Sequence, residues 1–599
     1  LPCPHPPPPL HPPPSPASGW AAMAAAAADR LFRVALVACG TRGDFQPLLA
    51  LAVELNRRGH KCKMFSDPEH CRMSEQWGVE AVRTNSKSAK DLLCTEAARN
   101  QAATGDLMTM LAAGDKVVKG HEEGQKWHDT NKENLSEFKP DIVFTNGVLA
   151  GAWSKEYAYG KRVPFIDVGY QPQVIATETM RPVPLFLAKL KPYQPVVHLW
   201  LLYAQNVARD GLKFEKELVE SGTSMDDLEA AIMNDEYGVT PEHSVDVFFN
   251  PQDLPVPTIL AYSEALFPKP HDWPETENLM VVGQMKLPPR DHGVPGSEAT
   301  PSSASNSDPE AAVRDQCLAF LAAGAAPVYV GWGSMVVESG AWMCRLAVGA
   351  LQRAGLRGII VSGWAEMTVE SLVGSPDEEE LRSYCAGNVL FVSAVSHEWL
   401  FPKCICALHH GGIGTLHASL EAGLPTLITP VFADQWDSGA MLVRSGLGAA
   451  TEKTLRKVTA EELGDKLRSC CEDGEMRARV RRVAAAMAKE NAVGTVADWL
   501  ETFLGAEGAA ERWDQKCLAR RQSLQARFRG RKHLPIEQVV SRIGFEIAAR
   551  FPQIKAFFER EQANFLEQLE IGGRGCLFTV VPKSGLLVKE ASSLDSREL

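Results

Sequence analysis

The sequence predicts an α/β protein with two parallel-sheet domains that face each other across a cleft, followed by a helical tail. Short apolar runs alternate with segments of helical spacing in two stretches, and a Pro/Gly/Ser/acidic linker, 288–312, separates them. Such alternation is typical of parallel sheets with helices on both faces. With 599 residues the chain also exceeds one ordinary core, so more than one domain is expected.

The first predicted domain, 31–287, opens with the apolar run RVALVAC and the turn GTRGD. In the following PLLALAVELNRRGH, Leu48, Leu51 and Leu55 lie on one helical face, and Gly59 predicts the end of that helix. KCKMFS, DIVFTN and VPFIDVG are the next predicted strands, with a helix in GVLAGAWSKEYAYG. The order predicts a repeated strand–helix unit.

The second predicted domain, 313–504, repeats this pattern. APVYVGWGS is a strand and tight turn, AWMCRLAVGALQRAG a helix, and LRGIIVSG, NVLFVSAV, CICALHH and LPTLITPV are further strands. Two such domains leave a cleft between them, where small ligands usually bind.

Composition excludes several classes of protein. The net charge of −12 argues against a general nucleic-acid binder, and no run of about 18 apolar residues is present to span a membrane. The fourteen cysteines form no CxxC pair, which favours reduced thiols without a zinc site or disulfide framework. We therefore expect a cytoplasmic protein, with peripheral contact to a membrane left open.

The two ends of the chain differ from the domains in composition. Residues 1–30 are rich in proline and alanine and are expected to be disordered, with Met23 as the natural start. The tail, 505–599, is first strongly basic and then amphipathic. Its segment 512–533 includes LQARFRG, which resembles the start of a calmodulin-binding IQ motif. An anionic membrane surface and a simple solvated helix are the alternatives.

The stretch HHGGIGTLHASLEAGLPTLITPVFADQ, 409–435, predicts a ligand site. A buried strand ends at His410, glycines allow a tight turn, and a helix follows whose N-terminus offers free N–H groups to an anion. Asp434 and Gln435 come after the next strand, where they can bind hydroxyl groups. These features suit a nucleotide sugar, although each residue alone has a structural alternative.

At these residues the chain resembles the donor-binding signature of the GT-B glycosyltransferases, most closely that of sterol 3-β-glucosyltransferases. GTRGDFQPLLALAVELNRRGH resembles the opening motif of the same family, and AYSEALFPKPHDW, VYVGWGS and VSHEWLFPKCICALHHGG follow in the family's order. The resemblance covers roughly 31–500. It implies two Rossmann-like domains, UDP-glucose as co-substrate without a further cofactor, and inverting transfer to a sterol-like hydroxyl without a metal.

The resemblance also implies individual roles. Asp44 matches the general base, with helix capping as its structural alternative. The turn that carries Asp44 and faces the cleft is Gly40, Thr41, Arg42 and Gly43; the implied donor-binding residues are Ser334, Val395, His410, Gly412, Gly414, Thr415, Asp434 and Gln435.

Two other functions remain open from the sequence. One is transfer from a UDP-sugar to a phenolic or polyketide alcohol, and the other is a catalytically silent scaffold that binds nucleotide sugars. The acceptor is expected near 169–186 and the apolar stretch 195–205, which a plain core helix would explain equally well.

Overall fold

The computed structural model describes two domains and the start of the tail. The described residues are 30–85, 90–91, 121–146, 151–171, 258–269, 279–288, 309–431, 434–506, 508, 511–513 and 515. Several predicted segments lie outside these residues: the leader 1–29, the linker positions 289–308, the acceptor segments 172–186 and 195–205, and the tail beyond 515.

The first domain contains a seven-stranded parallel sheet in the order β3-β2-β1-β4-β5-β6-β7. Its described elements are β1 (Arg33–Ala38), α1 (Arg42–Arg57), β2 (Lys61–Ser66), α2 (Pro68–Gln76), β3 (Glu80–Arg83), α3 (His121–Phe138), β4 (Ile142–Thr145), α4 (Gly151–Lys161), β5 (Phe165–Gly169), β6 (Thr258–Leu260) and β7 (Leu279–Val281). The predicted face of α1 is confirmed, since Leu48, Leu51 and Leu55 are fully buried. Gly59, at φ +95°, follows the end of this helix in the left-handed region.

The second domain contains a six-stranded parallel sheet in the order β10-β9-β8-β11-β12-β13. Its elements are α5 (Pro309–Ala322), β8 (Val328–Gly331), α6 (Gly340–Ala354), β9 (Gly358–Val361), α7 (Glu378–Asn388), β10 (Val389–Val392), α8 (His397–Leu400), β11 (Cys406–His409), α9 (Ile413–Glu421), β12 (Thr426–Ile428), α10 (Gln435–Ser445), β13 (Gly448–Ala450), α11 (Ala460–Glu472), α12 (Gly474–Met487) and α13 (Ala492–Gly505). The predicted fold class, two Rossmann-like α/β domains, is confirmed.

The ends of the second domain differ from the predicted segmentation. Helix α5 begins at Pro309, inside the stretch that composition predicts to be linker. Helix α13 returns to the first domain, where Val496 and Leu500 are buried in the same core as Leu48 of α1. Trp513, in the predicted tail, is buried in another core cluster of the first domain. Composition does not reveal this return, because an amphipathic helix has the same pattern whichever sheet it covers.

Polar contacts also join the two domains. After β6, the backbone N–H of Ser263 donates to Nε2 of His417 on α9 at 3.0 Å, and the Ser263 hydroxyl donates to Glu490 at 2.6 Å. Nδ1 of His417 lies 2.8 Å from the carbonyl of Ile413, so His417 is the Nδ1–H tautomer. Lys286 pairs with Glu421 in the same interface.

The described residues include ten cysteines, and their helices can be compared with the length that a membrane span needs. All ten cysteines within the described ranges are buried free thiols. Within those ranges no helix is long and apolar enough to cross a bilayer.

Candidate functional site

Several predicted residues follow the carboxyl ends of neighbouring strands in the second sheet. Ser334 follows β8, His410 follows β11, and Asp434 comes after β12; β11 pairs with both β8 and β12. Val395 follows β10 at the outer edge of the sheet. Because parallel strands end at one edge, these residues line the crevice where such sheets bind ligands.

The turn between β11 and α9 is built so that backbone groups can approach a ligand. Gly411 has φ +98°, a conformation that favours glycine, and a Cβ at Gly412 would collide with the His410 ring. Gly412 is the N-cap of α9 and provides no side-chain cap, and the first turn carries no acidic residue. Gly414 is exposed and Thr415 partly buried in this turn. The N-terminus of α9 therefore presents free N–H groups and the positive end of its dipole.

His410 contributes a hydrogen-bond donor rather than a charge in the free protein. Burial lowers the pKa of His410 to about 4, so the imidazole is neutral at pH 7. Its Nδ1 is buried and lacks a hydrogen-bond partner among the described residues. The imidazole therefore carries no positive charge at pH 7 in the free protein, and its Nδ1 makes no hydrogen bond to the described residues.

Asp434 and Gln435 occupy different environments although they are adjacent. Burial raises the pKa of Asp434 to about 7, and the charge of Asp44 contributes to the rise. Gln435 is buried; its Oε1 accepts from the N–H of Val431 at 2.7 Å, and its Nε2 lies 3.6 Å from the sulfur of Met335. Gln435 therefore supports the loop before α10, and direct sugar binding by Gln435 stays a prediction.

Asp44 lies in the first turn of α1 in the first domain. Its Oδ2 accepts from the backbone N–H of Thr41 at 2.7 Å and from the Thr41 hydroxyl at 2.9 Å, which completes a capping box. Capping, the structural alternative for this residue, is therefore present, and the base role of Asp44 stays a prediction. Burial raises the pKa of Asp44, against the lowering effect of the Thr41 bonds.

The turn before α1 is narrow. Gly40 has φ +127°, and a Cβ there would lie 2.5 Å from Oδ2 of Asp44. The N–H of Gly40 donates to the buried carboxylate of Asp67 at 3.2 Å, while Arg42 and Gly43 are exposed. The predicted turn thus leaves room for the Asp44 carboxylate only because Gly40 lacks a side chain.

The two sites influence each other across the cleft. The charge of Asp44 acts on Asp434, as described above. Burial is the main cause of the lowered pKa of His397 in the second domain, and the charge of Arg42 lowers it further. Burial raises the pKa of Glu398, and the charge of Arg42 acts against that rise. The turn of the first domain therefore faces the ligand edge of the second. Among the described residues, no group of three or more His, Cys, Asp or Glu side chains is arranged to hold a metal ion.

Sequence reasoning missed three polar residues. Asn146 and Tyr170 directly follow β4 and β5 and contact the backbone of Asp44, and His417 joins the domains. The position of Asn146 after a buried strand was a usable signal, because the carboxyl edge of a parallel sheet is where polar residues act. Tyr170 follows β5 in the same way, whereas no local pattern identifies His417.

Two family models match parts of the chain. The glycosyltransferase family 28 N-terminal domain matches residues 34–101, and the C-terminal domain described as erythromycin biosynthesis protein CIII-like matches residues 365–503. Together with the two parallel sheets, these matches show that the chain has the GT-B fold of glycosyltransferases.

Within that class the chain resembles the sterol 3-β-glucosyltransferases. One from Arabidopsis thaliana is 24% identical over 478 residues, which is 79% of this chain and 68% of the relative. One from Emericella nidulans is 24% identical over 74% of this chain, and one from Candida albicans is 33% identical over 28% of it. The matched part is 29% of the Emericella protein and 10% of the Candida protein.

Solved structures are similar over most of the chain. The glycotransferase of kitacinnamycin has a TM-score of 0.48 at 18% identity, covering 79% of this chain and 99% of its own. The calicheamicin glycosyltransferase CalG4 has a TM-score of 0.46 at 16% identity, covering 80% and 99%.

Proposed function

We propose that this protein is an inverting, metal-independent glycosyltransferase that moves glucose from UDP-glucose to a hydroxyl of a sterol or similar lipid-like acceptor. One observation carries the proposal. A partly buried carboxylate of the first domain, Asp44, faces a second-domain edge where His410 and the uncapped N-terminus of α9 offer donors to an anion. A base and an anion site on opposite sides of a cleft suit transfer from a nucleotide sugar.

In this mechanism Asp44 takes the proton of the acceptor hydroxyl as its oxygen attacks the anomeric carbon of the sugar. The new carbon–oxygen bond forms on the face opposite the breaking bond to UDP, so the configuration inverts. The negative charge that grows on the diphosphate would be stabilised by backbone N–H groups of the Gly412–Thr415 turn and by His410. A raised pKa brings Asp44 nearer to the working pH, which favours proton transfer.

Within the donor site, Ser334 is proposed to contact phosphate and the Val395 backbone to contact uracil. Asp434 is proposed to bind sugar hydroxyls. Because its pKa is about 7, both protonation states are populated at neutral pH, and the carboxyl can accept or donate a hydrogen bond.

The sterol acceptor is supported by the Arabidopsis and Emericella relatives, whose similarity extends over most of the chain. A second candidate is a phenolic or polyketide alcohol. It is favoured by the match of residues 365–503 to the erythromycin biosynthesis model. That match lies in the donor-side domain, so it bears less on the acceptor than a match that includes the first domain.

A transfer assay tests the proposal. The chain would be incubated with UDP-glucose, with and without EDTA, and a panel of sterols and phenolic alcohols, and hexose adducts would be detected by mass spectrometry. We expect a β-linked sterol hexoside that is insensitive to EDTA. A phenolic adduct alone would select the second candidate. UDP-glucose binding without any adduct would instead support a catalytically silent scaffold.

The basic segment 512–533 is proposed to contact an anionic membrane surface or calmodulin, which would bring a cytoplasmic enzyme to lipid acceptors. Trp513 anchors the start of this segment in the first domain. Deletion of 516–533 is expected to reduce binding to vesicles that contain phosphatidylserine, or to calcium-loaded calmodulin. Unchanged binding to both would exclude this role.

A further inference from the structure

Two side chains outside the donor motif hold the main-chain carbonyl of Asp44. The Tyr170 hydroxyl donates to this carbonyl at 2.8 Å. The Asn146 amide nitrogen lies 3.3 Å from the same carbonyl oxygen and 3.1 Å from that of Cys39. Both ends of the turn that carries Asp44 are therefore bonded to the body of the sheet.

The topology explains how these residues reach the turn. Strand β4 pairs directly with β1, and β5 is the next strand in the sheet. Asn146 and Tyr170 are the first residues after β4 and β5, so both lie at the carboxyl edge beside the start of α1. The contacts thus span more than 100 residues of sequence while bridging adjacent strand ends.

The start of α1 lacks one intrahelical hydrogen bond. Pro47 lies inside the helix and has no N–H, so the carbonyl of Gly43 lacks its usual intrahelical donor. The bonds from Asn146 and Tyr170 reach the neighbouring carbonyl, that of Asp44, from outside the helix.

The chemistry of both groups fits a donor role. Burial, followed by the nearby charges of Asp44 and Asp167, raises the pKa of Tyr170 well above its usual range, so the phenol keeps its proton. Asn146 directs its amide nitrogen at two carbonyls, while its Oδ1 is buried without a partner among the described residues.

We propose that Asn146 and Tyr170 are positioning residues, which hold the Asp44 backbone so that its carboxylate points at the acceptor hydroxyl. The inference rests on the proposed function, because it assigns their effect to the base. A displacement of about 1 Å in a reacting group can lower a rate roughly 10²-fold.

Rate measurements on single and combined variants test this role. Tyr170→Phe and Asn146→Ala are each expected to lower kcat about 10-fold or more, with the KM for UDP-glucose and the Kd for UDP within about twofold of wild type. In an Asp44→Asn background neither change should cause a further loss, since the group they orient is gone. An equal loss in that background, or weaker UDP binding in parallel, would overturn the inference.

Two matched variants control for the loss of a buried hydrogen bond. Asn131 donates to the carbonyl of Thr84 at 2.9 Å in the same domain, and Tyr384 donates to the carbonyls of Leu351 and Leu356 in the other. Asn131→Ala and Tyr384→Phe should keep kcat within about twofold of wild type. A loss in them as large as in the test variants would indicate a general structural effect and contradict positioning.

The carboxyl titration of Asp44 separates this inference from the proposed function. It can be followed by ¹³C NMR of labelled aspartate whether or not any acceptor reacts. If wild type transfers no sugar, the proposed function fails. A titration changed by Tyr170→Phe but not by Tyr384→Phe would still support the positioning contact, and an unchanged one would overturn it.

Discussion

The two strand–turn–helix units at the cleft have the same backbone plan but opposite electrostatics. After β1, Thr41 and Asp44 cap α1, so a carboxylate of the protein already occupies that helix N-terminus. After β11, Gly412 begins α9 without a side-chain cap, and the first turn has no acidic residue. One unit carries its own anion, and the other is open to an anion from a ligand. The two units thus differ in one acidic residue, Asp44, whose presence makes the first a candidate base and whose absence makes the second a candidate phosphate site.

Removal of the charge from the first unit should have the largest effect. Asp44→Asn keeps the shape of the side chain but cannot take a proton, so transfer should fall about 10²–10⁴-fold. UDP binding, which we propose depends on the second unit, should stay within about twofold of wild type by calorimetry. Asp465→Asn, at an exposed carboxylate paired with Arg353, is the control and should leave transfer unchanged. Transfer by Asp44→Asn at the wild-type rate would remove the base role.

Addition of an acidic residue to the second unit should come next. Gly414 is exposed, and a Cβ there meets nothing within 4 Å, so Gly414→Asp should fold. Its carboxylate would occupy the N-terminus of α9 and repel the diphosphate, which should weaken UDP binding about 100-fold. The isosteric Gly414→Asn should bind UDP much better than Gly414→Asp. Equal affinities in the two variants would show that shape matters at this turn and charge does not.

Acid should destabilise the second domain more than the first. Burial lowers the pKa of His410 and His417 to about 4, and also lowers those of His397 and His409; His70 is the comparable histidine among the described residues of the first domain. The unfolded chain binds these protons near pH 6.5, whereas the folded chain binds them only at lower pH, near pH 4 for His410, His417 and His70. Stability that is full above pH 6.5 is therefore lost as the pH falls toward 4, by up to about 3 kcal/mol for each such histidine.

Hydrogen exchange at pH 7 and pH 5 checks this difference between domains. Peptides of the second domain should lose more protection on acidification than those of the first. The raised pKa of Asp434 acts in the opposite direction and limits the loss. His417→Gln keeps an acceptor for the N–H of Ser263 without a titrating ring, so it should reduce the acid sensitivity. Earlier exchange in the first domain would contradict the prediction.

The smallest expected effect concerns the cap of the first unit. Thr41→Val removes the hydroxyl that donates to Asp44, a bond that lowers the pKa of this carboxyl. The pKa of Asp44 should therefore rise further. Since the base acts when deprotonated, the acidic limb of the kcat/KM profile should move to higher pH. Thr415→Val, on the second unit, should change UDP binding without moving that limb. If the acidic limb does not move in Thr41→Val, the pKa of Asp44 does not determine the pH dependence of kcat/KM.

Local pattern predicted much of the fold and part of the site. Helix α9, with Leu416 and Leu420 buried and Gly423 after its end, lies where the spacing of 409–435 predicts it. The strands β1, β2, β4, β5 and β8 to β12 lie within the runs that predict them. Apolar periodicity and glycine turns are properties of neighbouring residues, so they can be read without knowing the rest of the molecule.

Only the tertiary structure decided which distant groups meet. It places Asn146 and Tyr170 beside the carbonyl of Asp44. It also bonds Gln435 to Val431 in its own loop, and it packs α13 into the core of the first domain. The physical reason is that strand order and helix return determine these contacts, while hydrogen bonding and burial then determine the pKa values. The sequence by itself determined the two strand–turn–helix units. Packing decided which residues position them and how the domains face each other.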